Sequence, residues 1–304
     1  MNRSVNITVV VNKSWETEPV LNAMNNPKLR AVDLPVPIVI NAPNDAYSKM
    51  NCPRAIYRFG KNTSTVLNVS VWCIEDLMDP TKNSSSSQEK YRVLPPVLAG
   101  ENSDLVISIS TANSPEINSI NGSVIIGANS FLHDGHPDNP QSNLKSPFVG
   151  RLLPSNVNPA IFNLVDTAFN TLVTSKFLIP PKSPATRFVC KASKDTSMVS
   201  AIKVTDYTEY GRVDEEALHH FEMVVGKNPD SIETTHAVVK ISTDKPIIFI
   251  SPITDRFGHF AEDVTETQNY VAAFNGGIVL GQLLCSLYAF VQQGLVFQRS
   301  GNLT

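Results

Sequence analysis

"KPIIFISPITDRFG", residues 245–258, decides how the rest of the chain is read. Ile247, Ile248, Phe249, Ile250 and Ile253 form an apolar run without polar alternation, the pattern of a strand buried on both faces. The run stops at a Thr-Asp-Arg-Phe-Gly turn, which puts the carboxylate of Asp255 at the carboxyl end of that strand. In an open α/β sheet, ligands bind at this edge. The position poses a choice between an aspartate that caps a loop and one that hands a proton to a ligand.

The neighbouring segments supply the rest of such a sheet. "MVSAIKVTD" (198–206) reads as a strand, and "DEEALHHFEMVVG" (214–226) as a helix with acidic residues in its first turn. "TTHAVVKIST" (234–243) predicts another helix, and residues 266–294 a long closing helix weakened near Gly276-Gly277. Upstream, Ile161, Leu164, Ala168, Leu172 and Phe177 recur at helical spacing. Strands are expected at 5–11, 104–110 and 122–129, with a helix at about 16–24. "RAIYRFGKN" and "TVLNVSVWCIEDLM" predict an extended pair turning at Gly60-Lys61-Asn62. Residues near 25–55, 80–90 and 135–160 are rich in Pro, Asn and Ser and read as loop insertions. The expectation is one α/β domain over residues 1–304: a central mixed, largely parallel β-sheet flanked by helices on both faces.

The 304 residues carry a net charge of −3 with Lys and Arg scattered, which gives no footprint for nucleic acid. Cys52, Cys73, Cys190 and Cys285 form no CxxC pair; Cys73 and Cys285 lie in apolar segments and read as buried free thiols, which suits a reducing compartment. The N-terminal apolar run is too short for a signal core, and no stretch reads as the roughly 20 apolar residues of a membrane span. A cytoplasmic protein without membrane contact or cofactor is expected.

At "DLVISISTANSP" (104–115) and "GSVIIGANSFLHDG" (122–135) the order of features resembles the nucleoside phosphorylase and nucleosidase superfamily. Ser110-Thr111-Ala112-Asn113 stands where that family has a Gly-[Ser/Thr]-Ala-Gly-Gly strand end, residues 122–126 match its next strand, and His133-Asp134 its polar pair. "SIETTHAVVK" is similar to the family's Met-Glu segment, with Ile232 in the Met place and Glu233 in the Glu place. "ISPITD" is similar to its Ile-Ser-Asp segment, "ITVVVNKSWETEPVL" to its first strand and helix, and "QNYVAAFNGGIVLGQLL" to its last helix. The likeness touches residues 5–24 and most of 104–290, in order.

The resemblance implies cleavage of the N-glycosidic bond of a nucleoside by water or phosphate, and a homo-oligomer. Asp255 becomes the acid that protonates N7 of a departing base, so a purine is favoured; such an acid must keep its proton near neutral pH, which burial can arrange. Glu18, or its neighbour Glu16, would activate water. Glu233 would accept the ribose hydroxyls, as an acceptor-only carboxylate can, and Ile232 would pack on the sugar. Thr111 and Ala112 would touch base or sugar. Tyr207, Tyr210 and Phe257 are candidates for stacking on the base.

The departures lie in the phosphate site. The loop after the first strand, "NKSWETE", has neither glycine nor arginine, Asn113-Ser114-Pro115 replaces Gly-Gly, and Ser251 replaces the arginine before Ile-Ser-Asp. Arg54, Arg58 and Arg92 remain as phosphate partners without a motif. Two alternatives stay open: a nucleoside- or nucleobase-binding module without turnover, and a metal-dependent hydrolase built on His133, Asp134, His136 and Asp138.

Overall fold

The computed structural model describes residues 3–29, 38–41, 52–60, 64–116, 121–134, 144–182, 188–192, 197–200 and 210–298. The chain opens with β1 (Arg3–Val11), α1 (Ser14–Asn25), β2 (Ile38–Asn41) and the antiparallel pair β3 (Ala55–Phe59) and β4 (Thr65–Cys73). Next come α2 (Ser87–Glu101), β5 (Leu105–Ile109), β6 (Ala112–Ser114), β7 (Val124–Gly127) and β8 (Asn129–Leu132). They are followed by β9 (Leu152–Leu153), α3 (Thr167–Thr174), β10 (Cys190–Ala192), β11 (Ser197–Ser200) and α4 (Tyr210–Val225). β12 (Ser231–Glu233), α5 (His236–Ile241), β13 (Ile247–Arg256), α6 (Phe260–Asp263) and α7 (Glu266–Gln292) complete the fold.

The sheet is mixed and mostly parallel, in the order β2-β3-β4-β1-β5-β13-β6-β12-β11-β8-β9, with β7 joining β13 to β10. β13 runs through its middle. Ile247, Ile248, Phe249, Ile250 and Ile253 are all buried, each worth on the order of 1.5–3 kcal/mol of transfer free energy. Along β13, β5 and β6 behave as one interrupted strand, in register from Val106 opposite Ile247 to Ala112 opposite Ile253. The next pair is Asn113 with Asp255, so Thr254 is an extra residue and the strand bulges there. A bulge re-aims the side chains beside it.

Helices cover both faces. α1, α3 and α7 enclose one core with β1, β4 and β5, while α2 and α5 close a second against Val10, Val106 and Ile247. α4 lays Val213, Ala217 and Phe221 on Phe131 and Ile232. The glycine pair at 276–277 does not weaken α7, which is continuous; it permits close approach. A Cβ on Gly277 would lie 2.6 Å from the carbonyl oxygen of Val20 in α1, and one on Gly276 would lie 2.4 Å from Cγ of Pro252 in β13.

Three further sequence expectations change. Residues 87–90 are helical rather than loop: Ser86 caps α2 by accepting from Glu89 N, and the helix runs through Pro95-Pro96. The 159–177 segment divides at Asp166, whose side chain caps α3 after a 3-10 turn over Pro159–Leu164. α7 is long and apolar enough to cross a membrane, yet it is mostly buried and serves here as the core helix. The described cysteines are free thiols, Cys73, Cys190 and Cys285 being buried.

Candidate functional site

A cavity of about 710 Å³ opens at the carboxyl ends of β1, β5, β12 and β13, within the size range of small-molecule sites. Besides the exposed Glu266, four carboxyl side chains line it: Glu16, Asp214, Glu233 and Asp255. Each is buried, and each comes from a different element.

Glu16 sits in the first turn of α1. Its Oε2 accepts from Lys13 N at 2.8 Å, the capping bond of an N3 glutamate. Its Oε1 accepts from Thr111 N at 2.7 Å and Thr111 Oγ1 at 2.6 Å. Thr111 can offer its N–H because the strand pairing lapses between β5 and β6. Burial pushes the Glu16 pKa up, while the bonds from Thr111 and Lys13 favour the carboxylate. Glu18 is exposed on the other side of α1 and does not line the cavity, so the acidic side chain that α1 presents there is Glu16.

Glu233 ends β12, and its Oε1 accepts from His236 N at 2.8 Å. His236 is fixed in turn, with Nδ1 2.7 Å from Ser108 Oγ, Nε2 3.1 Å from Ser251 Oγ, and its ring stacked on Phe249. Burial holds it well below the ordinary histidine pKa, so it is neutral. Beneath the same turn lies Lys90, wholly buried, donating to Thr234 O, Thr234 Oγ1 and Thr235 Oγ1. Burial brings its pKa down to about 7.

Asp255 follows the bulge. No hydrogen-bond partner to its Oδ2 is found among the described residues, and neither Thr254 Oγ1 nor Asn113 Oδ1 beside it has one. Burial, reinforced by the negative charges of Asp214 and Asp263, pushes its pKa well above the usual carboxylate range. Burial therefore favours the protonated form of Asp255. Asp214, from α4, accepts from Asn113 Nδ2 at 2.6 Å, and burial raises it to about 7.

Of the other expected residues, Ile232, Thr111 and Ala112 line the cavity with Glu233. Phe257 does not: it packs against the Phe131 and Phe221 cluster. Tyr207 lies outside the described residues. The aromatic side chains at the cavity are Trp15 and Phe260. Arg54 is committed to Asp76 and Ser14, Arg92 to Glu89, and Arg58 is exposed; none lines the cavity. Its cationic side chain is Lys13, donating to Ser85 Oγ at 3.0 Å. His136 and Asp138 are outside the described residues, and His133 Nδ1 meets His220 Nδ1 at 2.8 Å.

Sequence reasoning missed Asp214, Trp15, Phe260 and the Asn83–Ser85 turn. Asp214 had a signal: it occupies the apolar stripe of α4, beside Val213 and one turn before Ala217 and Leu218.

No protein-family model and no curated protein matches the chain. Solved structures do. A putative 5'-methylthioadenosine/S-adenosylhomocysteine nucleosidase from Borrelia burgdorferi, bound to adenine, is 12% identical with a TM-score of 0.53, covering 91% of this chain and 98% of its own. The corresponding nucleosidase of Neisseria meningitidis, in complex with methylthio-immucillin-A, is 12% identical with a TM-score of 0.53, over 92% and 99%. A futalosine hydrolase mutant of Helicobacter pylori is 10% identical with a TM-score of 0.51, over 92% and 98%. The chain shares the α/β fold of these solved structures.

Proposed function

We propose that this cavity hydrolyses the N-glycosidic bond of a purine nucleoside. The observation that carries the reading is Asp255: a buried acid whose proton burial favours, its Oδ2 without a hydrogen-bond partner among the described residues, in one cavity with Glu16 and Glu233. As the bond between the anomeric carbon and N9 breaks, its electron pair moves into the base, and Asp255 delivers a proton to N7. A proton transfer of this kind is worth roughly 10²–10⁴ in rate. The oxocarbenium-like sugar is met by water, whose proton passes to the Glu16 carboxylate. Glu233 accepts hydrogen bonds from the ribose hydroxyls, and Ile232 packs against the ring.

Water is favoured over phosphate because the three candidate arginines are engaged elsewhere or exposed, which leaves Lys13 alone on the cavity wall among the described residues. Asn113 Oδ1 and Thr254 Oγ1, buried beside Asp255 without hydrogen-bond partners among the described residues, support a polar base edge lying at this wall. Phe260 and Trp15 are the rings that can cover it.

The test is incubation with methylthioadenosine, adenosine, inosine and uridine, with and without phosphate, following free base by chromatography. Release from a purine nucleoside without phosphate is expected. Release only with phosphate would make the protein a phosphorylase, and tight binding without release would make it a binding module.

A further inference from the structure

The mechanism above uses Asp255 and leaves Asp214 idle, although both are buried in the same wall of the cavity. The two come from different elements and are brought together by Asn113. In the backbone Asn113 pairs with Asp255 across the β6–β13 ladder, and its side chain donates to Asp214 Oδ2 at 2.6 Å. Their surroundings are unequal: Asp214 receives that amide N–H, and Asp255 Oδ2 receives nothing among the described residues. A hydrogen bond to the charged form favours ionisation, and two carboxylates sharing a site cannot both ionise cheaply.

Of the other charges near Asp255, that of Asp263 acts in the same direction as Asp214 and is paired. Asp263, at the end of α6, is held by its neighbour Arg256, with Nε–Oδ2 at 2.9 Å and Nη2–Oδ1 at 2.8 Å. Arg256 therefore offsets part of the Asp263 charge. Glu215, next to Asp214 on α4, is exposed and dissipates its field in water. Asp214 is the carboxyl whose recorded side-chain partner is a neutral amide.

We infer that Asp214 and Asp255 are an unequal carboxyl pair, in which Asp214 takes the negative charge and that charge keeps the proton on Asp255. Asp214 is then a positioning residue that acts through the acid; it sets the alkaline limit of the pH range over which Asp255 can give up a proton to a base. The kinetic consequence rests on the glycosidase reading, whereas the protonation order does not.

The experiment is a carbon-13 NMR titration of side-chain carboxyls in the full chain, with Asp255→Asn and Asp214→Asn for assignment. In the native protein Asp214 is expected to ionise first. In Asp214→Asn the Asp255 midpoint should fall by at least about one pH unit, a tenfold larger dissociation constant. Asn113→Ala keeps both acids and should move the first ionisation of the pair upward, so the order can be read even if Asp214→Asn folds poorly. With a turned-over substrate, the alkaline limb of kcat should shift down in Asp214→Asn by the same amount, with the effect on kcat rather than KM. An unmoved Asp255 midpoint, or Asp255 ionising first, overturns the inference. A raised KM with an unmoved limb also overturns it, making Asp214 a ligand-binding group. If no nucleoside is cleaved, the glycosidase reading fails while the titration still decides the pair.

Discussion

Oε1 of Glu16 accepts hydrogen bonds from both N and Oγ1 of Thr111, at 2.7 and 2.6 Å, and so ties the first turn of α1 to the break between β5 and β6. Two donors converging on one oxygen, with Lys13 N on the other, fix the carboxylate plane at the cavity wall. In the proposed mechanism this fixed carboxylate orients the attacking water.

Glu16→Gln should reduce base release by about 100-fold or more, the low end for a lost general base. Glu18→Gln, at an exposed position, should change neither turnover nor stability beyond about 0.5 kcal/mol. Steady-state kinetics on the two variants decides which glutamate acts; equal losses in both would remove Glu16 from the role.

Asp255→Asn should fold and still bind nucleoside but release base at least about 100-fold more slowly, because an amide cannot pass on a proton. Single-turnover assays, with a circular dichroism melt as the folding control, check this. Turnover at the native rate would take Asp255 out of the mechanism.

Glu233→Gln should lower kcat/KM by about 10- to 100-fold, the value of a charge-assisted hydrogen bond of roughly 1.5–3 kcal/mol. The native enzyme should discriminate against a 2'-deoxynucleoside, and the variant should lose most of that discrimination. The comparison of the two substrates on both proteins is the readout.

Stability should depend on pH through Asp214. Its folded pKa is raised to about 7, against roughly 3.9 for an unperturbed aspartate. The folded state then keeps a proton that the unfolded chain has lost. The contribution is full below about pH 4 and is lost as pH rises to about 7. Urea midpoints of the native protein should fall across that interval, and those of Asp214→Asn should fall less. Asp255, also raised, contributes with the same sign.

Gly277→Ala gains up to about 1 kcal/mol of helix propensity and meets the Val20 carbonyl at 2.6 Å and Ala23 Cβ at 2.8 Å. Overpacking costs about 1–3 kcal/mol, so the clash outweighs the gain. The melting temperature should drop by several degrees, and activity measured well below it should also fall, because α1 carries Glu16. Unchanged melting and activity would show that α1 yields freely.

How much of this was legible in the sequence depends on what each residue type signals locally. β13 and the place of Asp255 could be read because five buried apolar side chains and an abrupt turn leave little choice. Glu16 and Glu18 could not be separated, since two residues along a helix reverse the face presented and only the packing of α1 fixes it. α2 was hidden by Pro95-Pro96, which oppose a helix locally and are tolerated because the face carrying Val93, Leu94 and Leu98 is buried. Phe257 and Phe260 differ by less than one turn of chain, and the geometry after the bulge decides which one reaches the cavity.

The adjacent glycines of α7 also have a metrical meaning. One admits the backbone of α1, the other the ring of Pro252 three residues ahead of Asp255. Consecutive positions on a single rod thus gauge the span between Glu16 and Asp255, the length that a sugar and its heterocycle would have to match under the proposed reading. Lineages that lengthen or shorten their substrate would be expected to alter side-chain size at this pair before touching either acid.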